Sequence, residues 1–135
     1  MAFSLDFSRF VEYDAGLPGV SLDISLSLIG SRVDLTAKLD TGSTDCIFAR
    51  KYGEQLRLNI EDGEQIRVGT ATGSFAAFRH YVTLTILEYE FDAGVCFIAD
   101  ENINRNVLGR HGFLDRVKLG LVDYEGKLFL HPYNE

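Results

Sequence analysis

Residues 20 to 39 constrain this chain more than any other stretch, because apolar and polar side chains alternate along them. Val20, Leu22, Ile24, Leu26 and Leu28 are separated by Ser21, Asp23, Ser25 and Ser27. A period of two places each set on its own face of an extended backbone, so the apolar set marks a half-buried β-strand. Gly30 and Ser31 then supply turn chemistry, and Val33, Leu35, Ala37 and Leu39 resume the alternation. The pattern predicts a β-hairpin whose second strand runs directly into Asp40, Thr41 and Gly42.

The rest of the chain reads in the same way. Phe3, Leu5 and Phe7 predict a short N-terminal strand, and Gly16, Leu17 and Pro18 mark a connection. Cys46 to Phe48 is short and apolar, and Arg50 to Leu56 has weak helical character, interrupted by Gly53. After the turn residues Asp62 and Gly63, Ile66 and Val68 lead into the small polar stretch Thr70 to Ser74, and Val82, Leu84 and Ile86 alternate beyond it. This is the pattern of a long hairpin with a mobile tip. Phe91, Val95, Phe97 and Ile98 predict another strand, and Val107 and Leu108 a very short one. Leu119 to Val122 pairs naturally with Lys127 to Leu130 across Tyr124 to Gly126. With 135 residues, 46% of them apolar, and no repeat or linker, residues 1–135 read as a single mainly β domain with one or two short helices.

Charge and composition exclude several classes. The net charge of −7 is spread along the chain, which disfavours nucleic acid or an anionic membrane surface as a partner. No segment has the ~18 apolar residues of a membrane span, and Met1 to Phe10 carries an aspartate and polar residues where a signal peptide would be continuously apolar. The expectation is a cytoplasmic protein, with Cys46 and Cys96 as buried reduced thiols. His80, His111 and His131 lack the close spacings of zinc motifs, and no glycine-rich phosphate loop follows a strand, so neither a metal nor another cofactor is expected.

The chemistry concentrates at Asp40, Thr41, Gly42 and Ser43, placed directly after a strand. Downstream come the hairpin tip around Thr72, Gly73, Ser74 and Phe75, then Val107, Leu108, Gly109 and Arg110, then Gly112 to Asp115. An Asp-Thr-Gly loop, a flap hairpin and a hydrophobic-hydrophobic-Gly segment entering a short helix, in this order over residues 20 to 131, resemble the retropepsin-like aspartic proteases. The resemblance implies a closed or partly open acid-protease β-barrel with a flap, acting as an aspartic endopeptidase on peptide or protein substrates. By the same resemblance Asp40 activates water, Thr41 locks two active-site loops together across a homodimer, and Gly42 lets the substrate backbone approach.

These roles are physically coherent. Two carboxylates forced together share a proton, so that one acts as base on water while the other polarises the scissile carbonyl. The chain holds no second Asp-Thr-Gly or Asp-Ser-Gly, so the partner carboxylate is expected from Asp40 of a second copy. Ser43 either donates its hydroxyl to Asp40, favouring the charged carboxylate, or bonds local backbone, as serine does in loops. Thr72, Gly73 and Ser74 are expected to meet substrate at the flap tip, with Gly73 best suited to a close approach. Phe75 and Phe78 either line substrate pockets or belong to the core. Leu108, Gly109 and Arg110 are expected to support the active-site loop from beneath. Retroviral members pair this arginine with an aspartate two residues past the loop glycine; here that position is Thr44, so Arg110 is expected to reach Asp45 instead. The alternative functions are a catalytically silent dimerisation or peptide-binding module on the same fold, and an unrelated β-barrel binding domain with a coincidental turn.

Overall fold

The computed structural model describes residues 1–134. Its strands are β1 (Arg9–Glu12), β2 (Ser21–Leu28), β3 (Ser31–Leu39), β4 (Ile47–Phe48), β5 (Glu64–Thr70), β6 (Gly73–Ile86), β7 (Tyr89–Ile98), β8 (Val107–Leu108), β9 (Val117–Val122) and β10 (Lys127–Pro132), with one α-helix, α1 (Arg50–Gln55). Seven strands form a sheet in the order β2-β3-β8-β4-β7-β6-β5, and β2 also pairs with β6. Hydrogen bonding therefore closes a circuit through β2, β3, β8, β4, β7 and β6, and β5 is left as an arm lying on β6. A second sheet has the order β1-β10-β9. The fold is mainly β, as the alternation predicts.

The β2–β3 hairpin forms, with its turn one residue earlier than the sequence suggests. Ile29 and Gly30 are the central residues, with φ of 43° and 78°, and Ser31 already pairs with Leu28. A two-residue hairpin loop needs positive φ at both positions to match the strands' right-handed twist, and the tight register imposes that conformation even on the β-branched, exposed Ile29. Leu22, Ile24, Leu26, Val33, Leu35 and Ala37 all face inward and are buried. They join Val82, Leu84, Phe91, Val95 and Phe97 in the main core, while Ile47, Ala77, Cys96, Ile98 and Val107 form a smaller cluster.

Two segments depart from the sequence reading. Gly53 does not interrupt α1: a Cβ there would lie 2.5 Å from Ile60 Cδ1 and 2.9 Å from Phe97 Cγ, so glycine is what lets the helix pack directly on the core. At the N-terminus, residues 3–7 form no strand. The slot beside β10 is taken by Arg9–Glu12, with Val11 opposite Leu128, while Phe3 and Leu5 are exposed. Phe7 contributes through its ring, tilted against that of Phe129 with centroids 5.9 Å apart. No helix among the described residues is long and apolar enough to cross a membrane.

Cys46 and Cys96 are buried and unpaired by any disulfide. Burial disfavours the thiolate and pushes Cys46 up to about 12 and Cys96 up to about 11, from an ordinary 9.0. Thiol-reagent labelling of the folded protein at pH 8 should therefore run about 100-fold or more slower than in denaturant. The folded chain keeps protons that the unfolded chain releases above about pH 9. Denaturation midpoints should accordingly hold below that pH and fall as it rises toward 11. Equal labelling of folded and unfolded protein would contradict this core assignment.

Candidate active site

Strand β3 delivers Asp40 to the surface, and a second segment holds it there. The Asp40 N–H donates to Leu108 O at 2.9 Å, the Arg110 N–H to Ser43 O at 2.9 Å, the His111 N–H to Thr44 O at 2.8 Å and the Cys46 N–H to His111 O at 3.3 Å. Together with the parallel pairing of Leu39 with Leu108, these bonds lace residues 39–46 to 108–111. Gly109 is what allows the approach: a Cβ would lie 2.3 Å from Asp45 O and 2.7 Å from Ser43 O, both backbone atoms that cannot yield. The Gly109 N–H also points at Cys46 Sγ, 3.4 Å away.

Within the turn, the Gly42 N–H donates to Asp40 Oδ1 at 3.0 Å and the Ser43 N–H to Asp40 O at 3.1 Å. One carboxylate oxygen is thus fixed by the loop's own backbone. Oδ2 faces the guanidinium of Arg105 at 3.9 Å, both side chains being about 40% exposed. Thr41 and Gly42 are exposed beside it, and the Thr41 hydroxyl has no hydrogen-bond partner among the described residues.

Asp40 lies between two cavities. One, of about 520 Å³, is lined among others by Ser21, Lys38, Asp40, Arg105 and Val107. The other, of about 200 Å³, lies between the Asp40–Asp45 turn, including Ser43, and Arg67, Val68 and Gly69 of β5. The β5–β6 hairpin therefore flanks the carboxylate with the side of an arm. Its tip, turning at Ala71 and Thr72, is exposed, as are Gly73 and Ser74, and none of these four lines either cavity. Phe75 is half-buried against the smaller core cluster, opposite Val68. Of its two readings, core packing is the one observed.

One open alternative is decided and one side-chain expectation is corrected. The Ser43 hydroxyl donates to Asp45 O at 2.7 Å, the local-backbone alternative, and not to Asp40. Asp45 pairs with Arg79 of β6 at 3.1 Å and not with Arg110. Arg110 is committed through its backbone, and its side chain is exposed. Arg79 also reaches Glu64 at 3.3 Å, so one guanidinium ties the base of the hairpin to the Asp40 turn. Sequence reasoning missed Arg79, Arg67, Lys38 and Arg105. Lys38 and Arg105 sit two and four residues from residues already singled out, Asp40 and Gly109, which was the available signal. Nothing local marked Arg79.

Sequence comparison finds no matching family model and no matching curated relative. Solved structures do match. A retropepsin-like aspartic protease from Rickettsia conorii superposes with a TM-score of 0.66 at 14% identity, covering 96% of each chain. EIAV protease, in complex with an inhibitor, superposes with a TM-score of 0.52 at 17% identity, covering 67% of this chain and 80% of that one. The chain has a retropepsin-like fold.

The interlock predicts a sharp contrast between neighbouring substitutions. Gly109→Ala should cost about 3 kcal/mol or more, since its methyl meets backbone on the facing segment. Arg79→Ala should cost about 2 kcal/mol by leaving the Asp45 carboxylate, whose side chain is only 16% exposed, unpaired. Arg110→Ala should stay within about 0.5 kcal/mol, as an exposed side chain. Urea denaturation measures all three, and an Arg110→Ala loss equal to that of Arg79→Ala would return the ion pair to Arg110.

Proposed function

We propose that this protein is an aspartic endopeptidase in which the Asp40 carboxylates of two copies form one catalytic pair. The observation that carries this reading is the isolation of Asp40 at its site. Across both cavities beside it, the only other carboxylate among the described residues is Asp45, and Asp45 is held by Arg79. A chemistry that needs two neighbouring carboxylates must draw the second from another chain, and two-fold symmetry supplies the same residue. The exposed Thr41 hydroxyl on the same turn fits a role in binding the turn of the second copy.

In this mechanism the pair shares one proton. The ionised Asp40 takes a proton from water as the water oxygen attacks the peptide carbonyl carbon, and the protonated Asp40 gives its proton to the carbonyl oxygen. Collapse of the tetrahedral diol breaks the C–N bond. The amine nitrogen takes up a proton as it leaves, and the pair returns to its singly protonated state. Gly42, whose N–H orients Asp40 Oδ1, keeps the reacting carboxylate in register while exposing no side chain to the substrate. The substrate would lie extended against the arm formed by β5, where backbone pairing gives affinity and the cavities select side chains. Thr72, Gly73 and Ser74 would reach it only by movement of the hairpin tip.

Peptide-library cleavage by wild type beside Asp40→Asn tests this directly. The substitution is nearly isosteric, so circular dichroism should be unchanged while kcat/KM falls by about 10⁴-fold. Sedimentation of the same samples should give a dimer, and specific activity should drop on dilution as dimers dissociate. Equal cleavage by both proteins would sink the protease assignment, and full activity from a monomer would sink the shared pair.

A further inference from the structure

The charges around Asp40 run against those of the chain as a whole. With 20 Asp and Glu against 13 Lys and Arg, the protein is acidic, yet the two cavities beside Asp40 are lined by Lys38, Arg67 and Arg105. Arg105 faces only Asp40, at 3.9 Å, and neither Lys38 nor Arg67 has a carboxylate partner among the described residues. The remaining carboxylate at the site, Asp45, is neutralised by Arg79. Apart from the contact of Arg105 with Asp40 itself, these cations are not compensated by acids among the described residues, although acids are plentiful elsewhere on the surface.

The backbone on either side of Arg105 is also held in place. Its loop is pinned on one side by the Ile103 N–H on Asp100 O at 3.2 Å. On the other side Asn106 accepts the Lys38 N–H on its backbone oxygen at 3.0 Å and the Ala49 N–H on its side chain at 3.0 Å. This places a guanidinium, a fork of donors shaped for carboxylates, at the boundary between both cavities and within reach of whatever occupies the reacting position. Assembly of two copies doubles the three cations, while a proton-sharing Asp40 pair carries a single negative charge.

We propose that the site selects acidic peptides, with Arg105 as the specificity-determining residue that receives an Asp or Glu side chain beside the scissile bond, and Lys38 and Arg67 extending the same preference outward. This rests on the endopeptidase reading given above. Long-range attraction from the three cations would draw acidic segments toward a protein whose net charge otherwise repels them.

The test uses one peptide cut by the wild type, remade with Glu, Gln or Lys at each position flanking the cleaved bond. Wild type should favour Glu over Lys by about 10-fold or more in kcat/KM, and the ratio should shrink from 0.05 to 0.5 M salt as screening grows. Arg105→Ala should compress the ratio about 5-fold or more, and Arg105→Glu should invert it. Anisotropy of the same labelled peptides on Asp40→Asn protein, with and without Arg105→Ala, reads the preference as binding alone. A Glu-to-Lys ratio near one in both cleavage and binding would overturn the acidic preference and leave the protease assignment standing. Selective, Arg105-dependent binding of the Glu peptide, with cleavage as fast by Asp40→Asn as by wild type, would keep the acidic preference and overturn the protease assignment.

Discussion

Everything at this site depends on two backbone segments coming closer than ordinary side chains permit. Residues 39–46 and 108–111 are far apart in sequence, yet four cross-segment N–H···O bonds and a parallel strand pair hold them together. Gly109 is the single residue whose missing Cβ makes this possible, since any other would strike two carbonyl groups of the facing turn. The gain is rigidity. A carboxylate on a free loop would lose orientation with each fluctuation, whereas Asp40 sits on a turn bonded through several backbone groups to the opposing segment and to itself.

The rest of the fold supplies anchorage for that interlock. β3 enters it from the hairpin packed on the main core, and β8 enters it from the loop pinned by Asn106, so both partners of the Leu39–Leu108 pair rest on buried strands. Arg79 adds a side-chain tie between Asp45 and β6, the strand that also carries β5. The hairpin arm and the carboxylate are thus referenced to a common frame. A tip that moves can do so without displacing Asp40, because the tie is made near the hairpin's base, far from Ala71 and Thr72.

How far this was legible in the sequence follows from the range of each interaction. The alternation at residues 20–39 reports burial, a local property, and it located both strands and the residue they present. Gly109 was found through the family resemblance, in which a glycine after an apolar pair follows the flap hairpin in chain order. The Asp45 partner was not legible, because Arg79 lies 34 residues away on a strand whose pairing fixes which side chains meet. The Ser43 hydroxyl was left open for a different reason: two acceptors compete within a few residues, and only the folded turn decides between them. At the N-terminus, Phe3, Leu5 and Phe7 alternate better than Arg9–Glu12, but the shorter segment carries Val11, which packs against the main core, and that contact sets the register.

On the proposed reading, the same economy accounts for the basic character of the site. Asp40 must remain accessible for reaction, so its surroundings cannot be neutralised by burying them, and any charge placed there acts on solvent and substrate alike. A neutral lining would leave an acidic protein to repel acidic chains over the whole of its surface. Lys38, Arg67 and Arg105 place positive charge where two cavities open beside the carboxylate, and they come from three separate elements: β3, β5 and the loop before β8. Since each is set by a different part of the fold, their convergence on Asp40 is a property of the tertiary structure. It is this convergence, more than the turn sequence alone, that distinguishes a selective site from a bare pair of carboxylates.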